Sequence, residues 1–463
     1  MNQHNPSQRS VQAPLFDLPD GGDAPAAEPG PPLQGRPRLQ CAERRQVEFQ
    51  PFTLDELIPA DHEVRNVWEY VNQLNLSMLY DSILAVEGHV GRSPIDPKIL
   101  MALWLYATIE GVGSARELNG LCTSHVAYRW ICGGVSVNYH TLSDFRTAHV
   151  DLLDSLLTDS VGILMHQGLV TLNRVAEDGM RVRASAGASS FRRQKTLEKH
   201  LAEARQQVTR LKEELEQDPG SLSRRQKAAR ERAARERAER VARALAEREE
   251  VEARREARKK GSGDEARAST TDPDARRMKM ADGGTRPAYN VQFATDSDSF
   301  VTVGVIVTNS GSDAGGMNPM VEQLVARYGK APDELLADGG FSTVDDIETV
   351  ESTYPTTVYT PIKEEDKKVA KGIDPFAPRP RDSEIIGRWR QRMGTAAAKG
   401  IYKDRSSGAE LPNAHARNRG LRQFLVRGEL KVRAVALWQV LAHNFKRAVA
   451  LRKELELAVE GIT

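Results

Sequence analysis

Apolar positions recur at helical spacing through the first third of the chain. Val64, Val67, Val71 and Leu74 step by three and four behind Asp61, which predicts a capped helix. Asp96-Pro97 reads as N-cap plus first-turn proline opening an apolar helix from Ile99 to Ile109. Ser114 and Glu117 stand at capping-box spacing, and a fourth start lies at Thr141 to Asp144. Short helices with abrupt caps predict an all-α domain over residues 45–165. The period then changes. Leu169 to Ala184 alternates and is rich in β-branched residues, the texture of a strand. Leu197, Leu201, Ala204, Val208, Leu211 and Leu215 step by 4, 3, 4, 3, 4, a heptad seam that Asp218-Pro219-Gly220 interrupts. The Ala/Arg/Glu-rich stretch from Ser223 to Lys260 is expected to fold back on it, so 190–262 reads as a coiled-coil-like helical hairpin inserted into a larger domain.

Strand texture resumes at Ala288–Thr295 and Phe300–Thr308, a β-hairpin turning at Asp296–Ser299. A helix is predicted over Met317–Tyr328, a short strand at Glu334–Ala337, a helix at Thr343–Ser352 and a strand at Thr356–Thr360, with helices from Asp382 onward. That order implies an α/β domain with a mixed sheet over 166–455.

Composition refines this picture at a few points. The 463 residues have room for two or three domains of roughly 100–200 residues each. Net charge is only +1, yet Ser223–Lys260 holds 15 Lys or Arg against 8 Asp or Glu, so charge is segregated and an anionic partner is conceivable. The longest apolar run, Ile99–Ala107, is far short of the roughly 20 residues of a membrane-spanning helix. Residues 1–40, rich in Pro, Gly and acidic side chains, have little to bury and are expected to form a disordered tail without a secretory signal. Cys41, Cys122 and Cys132 form no CxxC pair and lack His at ligand spacing, which argues against a disulfide framework or zinc site and for a reducing, cytoplasmic location.

Two Asp-Gly pairs are the candidate chemistry. Asp178 lies within the first strand and precedes Gly179; Asp338 closes a short apolar strand and precedes two glycines. Taken alone, Asp-Gly is more often a turn. On neighbouring strands, however, two such carboxylates would suit Mg²⁺, which binds through one or two carboxylates and keeps water or phosphate in its other positions.

The C-terminal segment YKDRSSGAELPNAHAR, with Tyr402, Arg405, Glu410 and Arg417, resembles the tyrosine-arginine-glutamate-lysine signature of DDE transposases from bacterial insertion sequences. Asp178 in AEDGMRVRASA and Asp338 in LLADGGF match that family's first and second aspartates. Further similarity runs through DPDARRMKMADG (272–283), RPAYNVQFATD (286–296), TNSGSDAGGMNPM (308–320) and RQFLVRG (422–428), and RSPIDPKILMALWLYA (92–107) resembles the helical domain ahead of the catalytic core. The resemblance covers about residues 45–450. Two departures stand out: four residues separate Arg405 from Glu410 where the usual signature has three, and Arg417 replaces the terminal lysine. Arg keeps the charge and grips phosphate bidentately. Glu384 and Glu365 compete with Glu410 by proximity, but only Glu410 has the Tyr and Arg spaced ahead of it.

The resemblance implies a ribonuclease-H-like mixed-sheet core with the helical hairpin inserted, preceded by the all-α domain for DNA binding or dimerisation. It implies Asp178, Asp338 and Glu410 as ligands of two Mg²⁺ (or Mn²⁺) ions, and Tyr402, Arg405 and Arg417 as contacts to DNA phosphates. The expected partner is double-stranded DNA, terminal inverted repeats and target, held by a homodimer in a synaptic complex, with association to the nucleoid when bound. The rival readings are a non-catalytic DNA-binding remnant of a mobile element and a metal-dependent nuclease without strand transfer. Three further features carry weaker expectations: His125, Tyr128 and Arg129 in SHVAYRW (124–130) as DNA contacts, Trp389 among arginines as a stacking platform or a packed helix face, and the lone histidines His62, His140, His415 and His443 in structural roles.

Overall fold

The computed structural model describes residues 51, 53–85, 93–217 and 223–459. The expected tail over 1–40, Cys41 and the expected break at 218–220 lie outside the described residues. The chain from 53 onward belongs to one compact unit.

Seven helices come first: α1 (Glu63–Gln73), α2 (Ser77–Asp81), α3 (Pro97–Ile109), α4 (Ala115–Ser124), α5 (Val126–Cys132), α6 (Tyr139–Ala148) and α7 (Val150–His166). Their caps explain their starts. Asp96 accepts from the Lys98 amide at the head of α3, and Ser114 accepts from the Glu117 amide at the head of α4. Two starts differ from expectation. α1 is capped by His62, whose Nδ1 accepts from Val64, and not by Asp61; α6 is capped by Asn138, which takes the His140 and Thr141 amides and so starts the helix before Thr141. Because α3 is apolar on every face it is buried on every face, including Met101, Leu103, Trp104 and Leu105.

The sheet comprises β1 (Arg174–Arg183), β4 (Arg276–Lys279), β5 (Thr285–Asp296), β6 (Thr302–Thr308), β7 (Glu334–Ala337) and β8 (Thr357–Tyr359), and a separate two-residue pair joins β2 (Phe191–Arg192) to β3 (Ala268–Ser269). β1 is central, antiparallel to β5 and parallel to β7, which is parallel to β8. β5 carries β4 and β6 along its other edge, both antiparallel. β1 starts five residues later than its apolar run, because Leu172 has positive φ and only from Arg174 does the chain pair with β5 and β7. β4, sequence RRMK, carries no β-branched signal; it is a strand because β5 offers it a free edge at 285–288.

The remaining helices are α8 (Gln194–Gln217), α9 (Arg224–Arg258), α10 (Met317–Tyr328), α11 (Val344–Thr353), α12 (Glu365–Val369), α13 (Glu384–Met393), α14 (Ala396–Asn418) and α15 (Glu429–Val459). α15 packs on α3, α6 and α7 and also on β6, so one apolar core runs from the N-terminal helices to the sheet. Trp438 on α15 donates to the Arg146 carbonyl at 3.1 Å, and Asn444 pairs with both the N–H and the carbonyl of Thr302, standing in for a neighbouring strand.

α8 and α9 pack side by side with Leu197, Ala204, Ala234, Val241 and Ala244 buried between and beneath them, so the apolar seam faces the second arm. The hairpin leaves and returns through one gate. Phe191 pairs with Ser269, the Ser190 and Ser269 hydroxyls lie 2.7 Å apart, and the Thr270 amide donates to the Ser190 carbonyl at 3.1 Å. Beyond this base the arm is tied to the core by the ion pairs of Glu247 with Arg276 on β4 and of Arg243 with Asp274. Replacing residues 194–266 by a four-residue Gly/Ser linker is expected to leave a single cooperative unfolding transition in urea; loss of cooperativity would show that the arm is part of the core.

Candidate active site

β1 and β7 run in parallel with Glu177 opposite Ala337, where their pairing ends, so the next residues on the two strands are Asp178 and Asp338. Beyond that point β1 continues against β5 alone, and the chain after β7 turns away, the Phe341 amide donating to the Asp338 carbonyl. Asp178 is thus in mid-strand but at the end of the parallel pairing, where open sheets form their clefts.

Asp178 is half-buried. One oxygen accepts from the Gly179 amide at 2.9 Å and the other from Asn413 Nδ2 at 2.8 Å. Burial pushes its pKa up to about 6, the Asp338 carboxylate adds to the rise, and the Gly179 amide, Arg405 and Asn413 oppose it. Asp338 Oδ1 accepts from the Gly340 amide at 2.7 Å.

α14 brings the signature side chains to this pair. Gly408 makes the close approach possible: a Cβ there would stand 3.3 Å from the Ala176 Cβ and 3.5 Å from the Ser297 hydroxyl. Arg174 on β1 pairs with both Glu334 on β7 and Asp404 on α14, a tie across three elements. Tyr402 and Arg405 lie on the same face as Asn413, the Arg405 guanidinium 5.8 Å from the Tyr402 ring centroid. Burial raises the Tyr402 pKa, Arg405 opposes the rise, and both aspartates add to it. Gly408→Val is expected to destabilise by about 1–3 kcal/mol through overpacking against Ala176, and Gly408→Ala by much less, read from urea midpoints.

Glu410 is exposed at the edge of this face, one turn before Asn413, and Arg417 is exposed two turns further on. Among the described residues no three His, Cys, Asp or Glu side chains are gathered as a metal cage. The structure therefore brings together Asp178, Asp338, Tyr402 and Arg405, and leaves Glu410 and Arg417 facing solvent on the same helix. Glu384 begins α13 and is exposed, and Glu365 begins α12, where Lys399 pairs with it at 3.9 Å.

Three residues escaped the sequence reading. Asn413 holds Asp178, and its signal was its place in the LPNAHAR segment, three residues after Glu410. Asp313, from TNSGSDAGGMNPM, accepts from Arg181 at 2.8 Å and Asn290 at 2.6 Å. It explains Gly179, where a Cβ would lie 2.5 Å from Asp313 Oδ1; at Gly340 a Cβ would meet Asp338 Oδ1 first, at 2.8 Å, and Asp313 Oδ2 at 3.2 Å. Glycine here makes room for a carboxylate under the strand. Glu177, on that same side of β1, is fully buried with neither carboxylate oxygen hydrogen-bonded, and burial followed by Asp346, Asp313 and Asp178 pushes its pKa well above the usual range.

Other expected contacts are corrected. Tyr128 is buried beside Tyr106, while His125, which caps α5, and Arg129 are both exposed. Trp389 is buried, and Arg390 beside it is held by Asp382 at 2.6 Å, so the ring is a packed helix face and no stacking platform. The segments DPDARRMKMADG and RQFLVRG meet in space: Asp272 accepts from Gly428 and Tyr289, and Asp274 from Glu429, a structural clasp on β5.

The family described as Transposase domain (DUF772) matches residues 52–148, which covers α1 to α6 and supports a transposase-family protein. No curated protein and no solved structure matches the chain. Among the described residues no helix is long and apolar enough to cross a membrane.

Proposed function

We propose that the protein is a DNA transposase of the DDE type, cleaving phosphodiester bonds at the inverted-repeat ends of its element and transferring the 3′ ends to target DNA. The observation that carries this reading is the β1–β7 register, which sets Asp178 beside Asp338 under the face of α14. The strand order β6-β5-β1-β7-β8, with β1, β7 and β8 parallel and β5 and β6 antiparallel, supports a ribonuclease-H-like core. The transposase domain over 52–148 supports the same reading from the other end of the chain.

The donor set fits Mg²⁺ or Mn²⁺. Asp178 and Asp338 are hard oxygen donors side by side, and a bound cation would offset the burial and the neighbouring Asp338 charge that raise the Asp178 pKa. Glu410, exposed one turn before Asn413 on α14, is the third carboxylate of this reading and would have to turn inward to join them when the metal binds. Bound divalent ions would activate the attacking water or 3′-hydroxyl and stabilise the leaving oxygen. The protein's own groups do the rest: Asn413 and the Gly179 amide fix the Asp178 carboxylate, and Arg405, with Tyr402 beside it, grips a DNA phosphate. Arg417 extends that grip along the exposed side of α14. A duplex ending in the element's own inverted repeat, incubated with the full chain and Mg²⁺, should yield a 3′-hydroxyl end and then a joined product. Cleavage without joining would favour a nuclease, and binding without cleavage a non-catalytic remnant.

A further inference from the structure

A second built site lies away from Asp178. A cavity of about 310 Å³ opens where the start of α4 meets the segment 419–425 and α15. Its floor is two glycines in left-handed backbone, Gly111 and Gly420, packed so closely that a Cβ on Gly420 would stand 3.1 Å from the Gly111 carbonyl. Its walls carry guanidinium groups without matching carboxylates. Arg146 is 7% exposed, lies over the Trp104 ring at 4.9 Å, and donates only to the Gly113 carbonyl; its Nε makes no hydrogen bond. Arg419 Nη1 is buried and makes none either. The carboxylate that acts on Arg419 is Glu63, which is itself paired with Lys446. Burial alone lowers the pKa of Arg146, to about 10, with no carboxylate raising it. Ser114, the N-cap of the ten-residue helix α4, also lines the cavity, so the positive end of that helix adds to the field. Arg422 stands at the rim, and so does one carboxylate, Glu117, exposed and screened by solvent.

We propose that this cavity binds a phosphate ester. One buried guanidinium (Arg146), a partly buried one with an unbonded Nη1 (Arg419) and a helix N-terminus call for an anion with several acceptor oxygens, and Arg matches phosphate bidentately. Gln439 also lines the cavity, and its buried Oε1 makes no hydrogen bond, so a turn of the amide would bring an acceptor to a P–OH or sugar hydroxyl. The volume exceeds that of bare phosphate and leaves room for the organic group that the apolar walls, Val435 and Leu425 among them, would contact. The ester comes either from a free nucleotide or from a DNA strand, two sources of the same chemistry. The site does not depend on the DDE reading: Asp178→Asn should bind the ligand as the wild type does.

Thymidine monophosphate titrated into the full chain is expected to change the tryptophan fluorescence saturably, since Trp104 and Trp438 line the cavity, and to raise Tm. Sodium chloride at matched ionic strength should do neither. Arg419→Met should weaken binding about tenfold. Glu117→Gln, an exposed and conservative change, should tighten it about twofold by removing the opposing charge. The proposal is overturned if thymidine monophosphate acts no differently from chloride, or if both variants bind as the wild type does. Competition names the source. Displacement of thymidine monophosphate by a duplex with a 5′-phosphate but not by its 5′-hydroxyl counterpart identifies a strand end, equal displacement by both identifies backbone phosphodiester, and displacement by neither identifies a free nucleotide.

Discussion

Asp178→Asn is expected to lower Mg²⁺-dependent cleavage of inverted-repeat DNA by on the order of 10³-fold while changing duplex affinity by less than about threefold. The substitution keeps the oxygen that accepts from the Gly179 amide, and the new amide group can donate to Asn413 once that side chain turns its unbonded Oδ1 toward it. A loss of this size at unchanged duplex affinity and urea midpoint therefore reports chemistry and not folding. Asp338→Asn should match it, because the two carboxylates stand at one point of the sheet and act as a unit. Glu410→Gln should match it too if that side chain joins them. Gel assays of strand nicking and joining, run beside filter binding, separate the two effects. Asp178→Asn at wild-type activity would end the DDE reading of this site.

Glu177 should make stability in metal-free buffer fall as pH rises above about 4.5, and Glu177→Gln should remove that contribution. Glu177 has its pKa raised in the folded state, so the folded protein holds a proton there that the unfolded chain has already released above about pH 4.5. Its contribution is therefore favourable at low pH and is lost as pH climbs, at up to about 1.4 kcal/mol per pH unit while the folded carboxyl stays protonated. Asp178, raised to about 6, adds the same sign at lower pH, between about 4 and 6. His443 and His415 act oppositely, since burial lowers both and the unfolded chain binds their protons first; above pH 7 their contribution is flat. Urea midpoints of wild type and Glu177→Gln at intervals from about pH 4.5 to 8 make the comparison. Equal slopes would show that Glu177 is ionised in the folded protein.

Much of the path to this site was legible locally. Asp96-Pro97 starts α3, the DSDS turn divides β5 from β6, and α10 and β7 span the residues their apolar patterns indicated. These are features in which one or two side chains settle the backbone conformation within a single turn or strand. Where two nearby residues competed for one cap, as Asp61 with His62 and Thr141 with Asn138, the boundary moved by a residue or a few. The Asp-Gly pairs were also visible, yet Gly179 makes room for a carboxylate, Asp313, more than a hundred residues away.

By itself the sequence determined the alternation of elements, the closed helical arm and the candidate acidic and basic residues, because periodicity, capping and turn chemistry act over a few residues. Only the tertiary structure decided which of those candidates meet. Register between β1 and β7 paired Asp178 with Asp338, and the absence of a side chain at Gly408 let α14 approach β1 closely enough for Asn413 to hold Asp178. Packing likewise withdrew Tyr128 and Trp389 from solvent and buried Arg146 without a counter-charge. Such outcomes depend on strand register and on side-chain volume at contacts between distant segments, and neither quantity is written in any local stretch of the chain.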